Sequence, residues 1–230
     1  MKPLVSVIMP VRDGGEFLAD AVSSILDQTL PGLELLLVDD HSTDHAVQAL
    51  SFSDPRLQLI ENSGRGVSSA FNTGLASARG QFIARMDADD LALPERLQRQ
   101  LDFLERHPDI EICGACIEIF SDQGIAGGNR RYQDWLNSCR SPEKISRELF
   151  IESPIPNPTA MFRAEALLRL GGFAEPAWPE DYDLYLRADA AGLKMGKPSG
   201  CLLRWREHPE RYLGRPKLPG YRPKQAGRFL

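Results

Sequence analysis

Three aspartates, Asp87, Asp89 and Asp90, fall within four positions in the stretch ARMDADD, which continues the apolar run Phe82-Ile83-Ala84. Carboxylates this close resist ionising together unless a cation is present. The cluster is therefore either a solvated turn that helps start the next helix or a set of oxygen ligands for a metal. Other acids are grouped in a similar way. Asp13 follows Pro10-Val11-Arg12, Asp39 and Asp40 follow LELLLV, and Glu180-Asp181 opens the stretch PEDYDLYLR. Separate carboxylate groups allow a division of labour, one holding a cation and another accepting a proton.

The elements that would carry these residues alternate in type. Residues 4–9 read as a buried strand, and Phe17, Leu18, Ala21, Val22, Ile25 and Leu26 then recur at helical spacing. Residues 33–38 form a second strand, followed by a short helix over 46–50. A third strand spans 56–60, a third helix 67–78, and a fourth strand 82–86. The next helix opens at Pro94, buries Leu97, Leu101 and Leu104, and stops at His107-Pro108. Such alternation predicts an α/β fold, a mostly parallel sheet with helices on both faces, whose ligands bind beyond the carboxyl ends of the strands. Asp13, Asp39-Asp40 and Asp87–Asp90 all stand at such ends. A solvated turn explains any one group; three at equivalent places favour a site.

Beyond residue 110 the pattern changes. Residues 110–120 read as one strand and 121–141 as a Gly-rich polar loop or insertion. Ser141 is placed to cap a helix with Pro142 at its first position. Pro154, Pro156 and Pro158 impose an extended irregular stretch. Residues 180–191 form a helix with Asp183 and Arg187 at salt-bridge spacing, and 194–206 suggest a hairpin through Pro198-Ser199-Gly200.

Bulk properties remove several function classes. A hydrophobic share of 42% and a charged share of 26% are those of an ordinary globular chain. The net charge of −5 argues against nucleic acid as a partner. No run approaches the length of a membrane span, and the start Met1-Lys2-Pro3 shows no secretory signal, so a cytoplasmic protein is expected. Cys113 and Cys116 have the C-x-x-C spacing, but on a strand residues three apart point to opposite faces. Cys113, Cys116, Cys139 and Cys201 are expected to be structural thiols.

The words VSVIMPVRDGGEFLADAVSSILDQT, LELLLVDDHSTD, GVSSAFNTGL, MDADD, LGGF and PEDYDLYLR occur in that order. In this the chain resembles the family 2 glycosyltransferases of GT-A fold, with a Rossmann-like sheet, across roughly residues 4–212. The resemblance implies inverting, metal-dependent transfer of a sugar from a nucleotide-sugar, usually a UDP-sugar, to a hydroxyl of a saccharide or lipid-linked acceptor. It implies one domain over 1–212, with a nucleotide-sugar half (1–109), an acceptor half (110–212) and a basic tail (213–230). Pro10, Val11, Asp13 and Ala88 would line the donor. Asp39 or Asp40 would bond the base, and Asp87 would approach the nucleoside. Asp89 would hold Mn²⁺ or Mg²⁺, and Asp181 would be the catalytic base, with Glu180 as an acceptor contact. Family members more often carry Asn at the position of Asp13.

Other residues keep two readings. Trp178 could stack on the acceptor sugar or pack at a rim. His208 could reach the metal or diphosphate, or be an ordinary surface histidine. Asn72 would pack or bond within the nucleotide wall, and Arg65 would reach the donor or sit in an exposed loop. The tail, with Arg215, Lys217, Arg222, Lys224 and Arg228, could touch an anionic membrane at its inner face, or be solvated. A nicotinamide dehydrogenase shares the strand-loop-helix pattern, but Asp13-Gly14-Gly15-Glu16 lacks the G-x-G-x-x-G turn. A nucleotide-binding protein without turnover would not need Asp181, and neither would a nucleotidyltransferase.

Overall fold

The computed structural model describes residues 2–51, 53–121, 124–125, 127–175 and 179–208. Strand β1 (Val5–Val11) leads through a 3-10 turn into helix α1 (Leu18–Leu26), and β2 (Leu33–Asp39) and β3 (Leu57–Glu61) follow. Helix α2 (Val67–Ser77) precedes β4 (Phe82–Arg85), the short β5 (Leu91–Ala92) and helix α3 (Arg96–Arg106). β1, β2, β3 and β4 pair in parallel in the order β3-β2-β1-β4, so their carboxyl ends share one edge.

Both faces of this sheet are covered, which is why β1 and β2 read as continuous apolar runs rather than alternating ones. Val5, Val7, Met9 and Val11 share one core with Ala21, Val22 and Ile25 of α1 and Leu97, Leu101 and Leu104 of α3. Ile8 faces the other core, with Leu36, Val38, Ala70 and Phe71. There α2 lies close to the sheet. A Cβ on its Gly74 would come 2.6 Å from Ile8 Cγ2 and 3.0 Å from Val38 Cγ2.

The second half extends the same sheet. β6 (Ile110–Cys113) and β7 (Cys116–Phe120) precede α4 (Gly127–Ser138) and α5 (Pro142–Glu148). β8 (Met161–Arg163), α6 (Ala164–Arg169), α7 (Glu180–Ala190), β9 (Lys194–Gly196) and β10 (Cys201–Arg206) follow. β8 is antiparallel to β4 and β6, and β9 pairs with β6, giving the seven-strand order β3-β2-β1-β4-β8-β6-β9. β10 instead lies between β5 and β7 in a three-stranded sheet. No helix among the described residues is long and apolar enough to cross a membrane.

Four sequence expectations are corrected. Residues 46–50 form turns, being too few to repay helix nucleation. The strand expected over 110–120 breaks at Gly114, where the chain leaves one sheet for the other; a Cβ there would lie 2.9 Å from Ile155 Cγ2. The expected loop 121–141 contains α4, whose Tyr132, Trp135 and Leu136 pack on the core. The hairpin over 194–206 is absent because β9 and β10 belong to different sheets, with Gly200 at φ +85° between them. Ser141 does cap α5, accepting the Lys144 N–H, and Arg187 Nε meets Asp183 Oδ2 at 2.7 Å.

All four cysteines are free, and Cys113 and Cys116 lie in different sheets. Burial pushes the Cys113 thiol up to about 12, which leaves it protonated and unreactive at neutral pH.

Candidate active site

The carboxyl edge of the parallel strands gathers the acids from three loops. After β1, Asp13 takes φ +51°, and its Oδ1 accepts from the Thr43 N–H at 2.7 Å and the Thr43 hydroxyl at 3.1 Å. The Thr43 N–H holds this exposed carboxyl below its usual range. After β2, Asp39 is half-buried and accepts the Ser42 N–H at 2.9 Å. Asp40 is buried. It accepts Asn62 Nδ2 at 2.6 Å and, through both oxygens, the N–H of Gly66 at the mouth of α2, at 2.9 and 3.0 Å. Arg12 Nη1 lies 4.0 Å from it. Pro10 is half-buried beside this edge. The Val11 side chain is inside the core, and its carbonyl accepts the Asp40 N–H.

The loop after β4 carries the acidic cluster. Ligand oxygens of Asp87, Asp89 and Asp90 all lie within 4.8 Å of one another. Asp87 and Asp89 are half-buried, while Asp90 is fully buried and accepts the Arg206 N–H of β10 at 2.8 Å. Ala88 packs against the core between them. His208, just past β10, places Nε2 3.1 Å from Asp89 Oδ2 and its ring 5.0 Å from that of Phe17. Two carboxylates and an imidazole at one rim suit a divalent ion such as Mg²⁺ or Mn²⁺, with the remaining positions left to water and phosphate.

Beneath the cluster lie two arginines that sequence reasoning did not single out. Arg96 is fully buried under the MDADD loop and donates to Gln100 Oε1, Met86 Sδ and the Arg85 carbonyl. Burial pulls it down to about 10, which leaves it charged at neutral pH. Arg85, the last residue of β4, is also buried. Its Nε donates to Asp87 Oδ1 at 3.2 Å, and its Nη2 lies 3.7 Å from Glu180 Oε1. Its guanidinium sits 5.8 Å from the Phe71 ring and 5.4 Å from the Phe173 ring. Solvated surface is the usual place for arginine, so nothing local in the sequence distinguishes these two from exposed ones.

α7 brings the last pair of acids to the same place. Glu180 Oε1 also accepts Asn157 Nδ2 at 3.3 Å. Asp181 Oδ1 accepts the N–H of Tyr182 at 2.8 Å. Burial raises the Asp181 carboxyl to about 6; the charge of Glu180 adds to the rise, and Arg85 opposes it. Asn72 clamps the LGGF turn, donating to the Phe173 carbonyl at 2.7 Å and accepting the Phe173 N–H at 3.0 Å. Gly172, at φ +70°, must be glycine twice over, because a Cβ there would lie 2.5 Å from Asn72 Oδ1. Arg65 is exposed. Trp178 and the tail over 213–230 lie outside the described residues.

The site thus joins an acidic rim on the parallel strands to Glu180, the neighbour of Asp181 on α7, through one buried arginine. The chain matches Glycosyl transferase family 2 over residues 6–171. It belongs to that family. The family 2 chain is 33% identical over 214 residues to EpsE of Bacillus subtilis, a protein named for glycosyl transfer, covering 89% of this chain and 73% of that one. It is 27% identical to the O-antigen biosynthesis glycosyltransferase WbnJ of Escherichia coli, over 89% of this chain and 80% of WbnJ. Among solved structures it matches S. aureus TarS in complex with UDP-GlcNAc, at TM-score 0.76 and 19% identity. That match covers 93% of this chain and 61% of the TarS chain. A mannosyltransferase from Pyrobaculum calidifontis, in complex with GDP-Man and Mn²⁺, matches at TM-score 0.68 and 24% identity, over 89% of this chain and 57% of that one. The shared fold is that of GT-A glycosyltransferases. The chain spans about three fifths of these structural neighbours.

Proposed function

We propose that this chain catalyses inverting sugar transfer from a nucleoside-diphosphate donor, UDP in the first instance, to a hydroxyl of a saccharide or lipid-linked acceptor in surface polysaccharide assembly. The observation that carries it is the position of Asp181, an aspartate raised to about 6, next to Glu180, which Arg85 links to Asp87 of the acidic rim. A carboxyl titrating near 6 is ionised at neutral pH yet basic enough to accept an alcohol proton as bonding develops.

Pro10, Val11, Asp13, Asp39, Asp40 and Ala88 form the donor side of this reading, with Asp39 or Asp40 at the base and Asp87 at the ribose. A divalent cation, Mn²⁺ or Mg²⁺, held by Asp89 with His208, would supply Lewis-acid stabilisation of the leaving diphosphate. Asp181 takes the proton from the acceptor hydroxyl. The acceptor oxygen bonds to the anomeric carbon as the bond from that carbon to the phosphate oxygen breaks. The electron pair leaves on the diphosphate, and attack from the opposite face inverts the centre. Glu180, and Trp178 just before it, would contact the acceptor. A lipid-linked acceptor fits the name of a relative 36% identical over 126 residues, an Escherichia coli glucosyltransferase acting on GlcNAc-diphosphoundecaprenol. With such an acceptor the protein would work peripherally at the inner membrane face.

A thermal-shift screen of UDP, GDP and their sugars, each with and without Mn²⁺ or Mg²⁺, tests the reading. The expected result is a rise in Tm with a uridine diphosphate only when a divalent ion is present. A screen in which no nucleotide raises Tm would overturn it.

A further inference from the structure

Arg85 is anomalous as a structural arginine. Arg96, equally buried, has donors on all three of its nitrogens engaged. Arg85 engages Nε with Asp87 and directs Nη2 toward Glu180, while its buried Nη1 has no hydrogen-bond partner among the described residues. A buried donor without a partner lowers stability, and such groups persist where function requires them. The Tyr185 hydroxyl, one turn beyond Asp181, is a second buried polar group without a partner in the same region.

The placement explains the exception. Asp87 comes from the loop after β4, on the donor side. Glu180 and Asp181 come from the first turn of α7, on the acceptor side. Phe71 and Phe173, packed against each other with ring centroids 4.5 Å apart, together flank one side of the guanidinium, and Asn72 fixes Phe173 from α2. One rigid cation therefore faces acids from both sides of the reaction.

We propose that Arg85 is a positioning residue that fixes the donor-side Asp87 and the acceptor-side pair Glu180–Asp181 at one mutual separation before substrate arrives. This rests on the reading of Asp181 as the base. Arg85 touches neither reacting atom; it acts through the carboxylates it holds. A planar guanidinium can face two acids at once, whereas an ammonium cannot match both geometries.

The groups facing Asp181 are Glu180 and Tyr185 on its own helix, Arg85 from β4, Asp87 from the following loop, and Tyr132 from α4. Arg85 is the one cation in this set. Removing it leaves the Asp181 carboxylate among acids and phenols with the Tyr182 N–H but no cation, so its titration must move up.

The test replaces Arg85 with Met and with Lys in the full chain and follows the Asp181 side-chain carboxyl by ¹³C NMR without nucleotide, assigned with Asp181→Asn. Arg85→Met should raise the Asp181 titration by about one pH unit or more. Arg85→Lys should restore this titration toward wild type, since it needs only a cation, but should not restore kcat, which needs both acids placed. With a UDP-sugar donor, Arg85→Met should lower kcat by about 10²-fold and, because Asp87 loses its partner, weaken UDP binding with Mn²⁺. A folded Arg85→Met protein whose Asp181 titrates as in wild type overturns the proposal, whatever reaction the protein performs. If Arg85→Met does not fold, urea unfolding of Asp87→Asn, Glu180→Gln and the double variant decides. The two changes should be non-additive by about fivefold or more in the unfolding constant, since the acids share one cation. Additive effects overturn the proposal.

Discussion

Asp89 and His208 stand 119 positions apart, yet Asp89 Oδ2 and His208 Nε2 meet at 3.1 Å. The contact joins the loop after β4 to the segment after β10, and Arg206 reinforces it by donating its Nε to the Asp89 carbonyl at 2.9 Å. If these two groups hold the cation, Asp89→Asn should abolish Mn²⁺-dependent UDP binding in calorimetry. His208→Ala should weaken it by about tenfold or more. Binding that keeps its Mn²⁺ dependence in both variants would place the ion elsewhere.

Asp181 has a stability consequence with a defined sign. Its folded pKa of about 6 exceeds the ordinary value of 3.8. The native state therefore favours the protonated form, and ionisation destabilises the fold as pH rises from about 4 through 6. Asp181→Asn should raise stability by about 1–3 kcal/mol at pH 8. The gain should vanish below about pH 3, where the wild-type carboxyl is protonated in both states. Paired Tm measurements at the two pH values check this.

Asp40 carries a different load. Its buried carboxylate satisfies Asn62 and the half-buried Gly66 N–H that opens α2. Asp40→Ala should destabilise the protein by about 2–4 kcal/mol in urea unfolding. Asp39 lies half-buried with a single loop N–H, so Asp39→Ala should cost less.

Gly74 tests the close seating of α2 on β1 and β2. Gly74→Ala drives a methyl into Ile8 and Val38 and should cost about 1–3 kcal/mol, despite the better helix propensity of alanine. A stabilised variant would contradict the packing.

The first half of the fold was legible because its signals are periodic and local. The apolar run of β2 and the five buried positions of α1 need no tertiary context to read. The break at Gly114 was hidden because β6 and β7 are each acceptable strand sequence and only their partners differ. α4 was hidden by its opening glycines and polar residues, although Tyr132, Trp135 and Leu136 carry the helical spacing. The acids of the candidate site were readable as clusters, three at strand ends and one in the first turn of α7. Arg85 and Arg96 were not, because burial of an arginine is a property of the assembled core.

The central claim is that Asp181 takes the acceptor proton, and kcat of Asp181→Asn beside its UDP affinity tests it most directly. The account predicts UDP binding with Mn²⁺ as in wild type and sugar transfer reduced by about 10²–10⁴-fold. A variant that binds UDP and still turns over at the wild-type rate would contradict it.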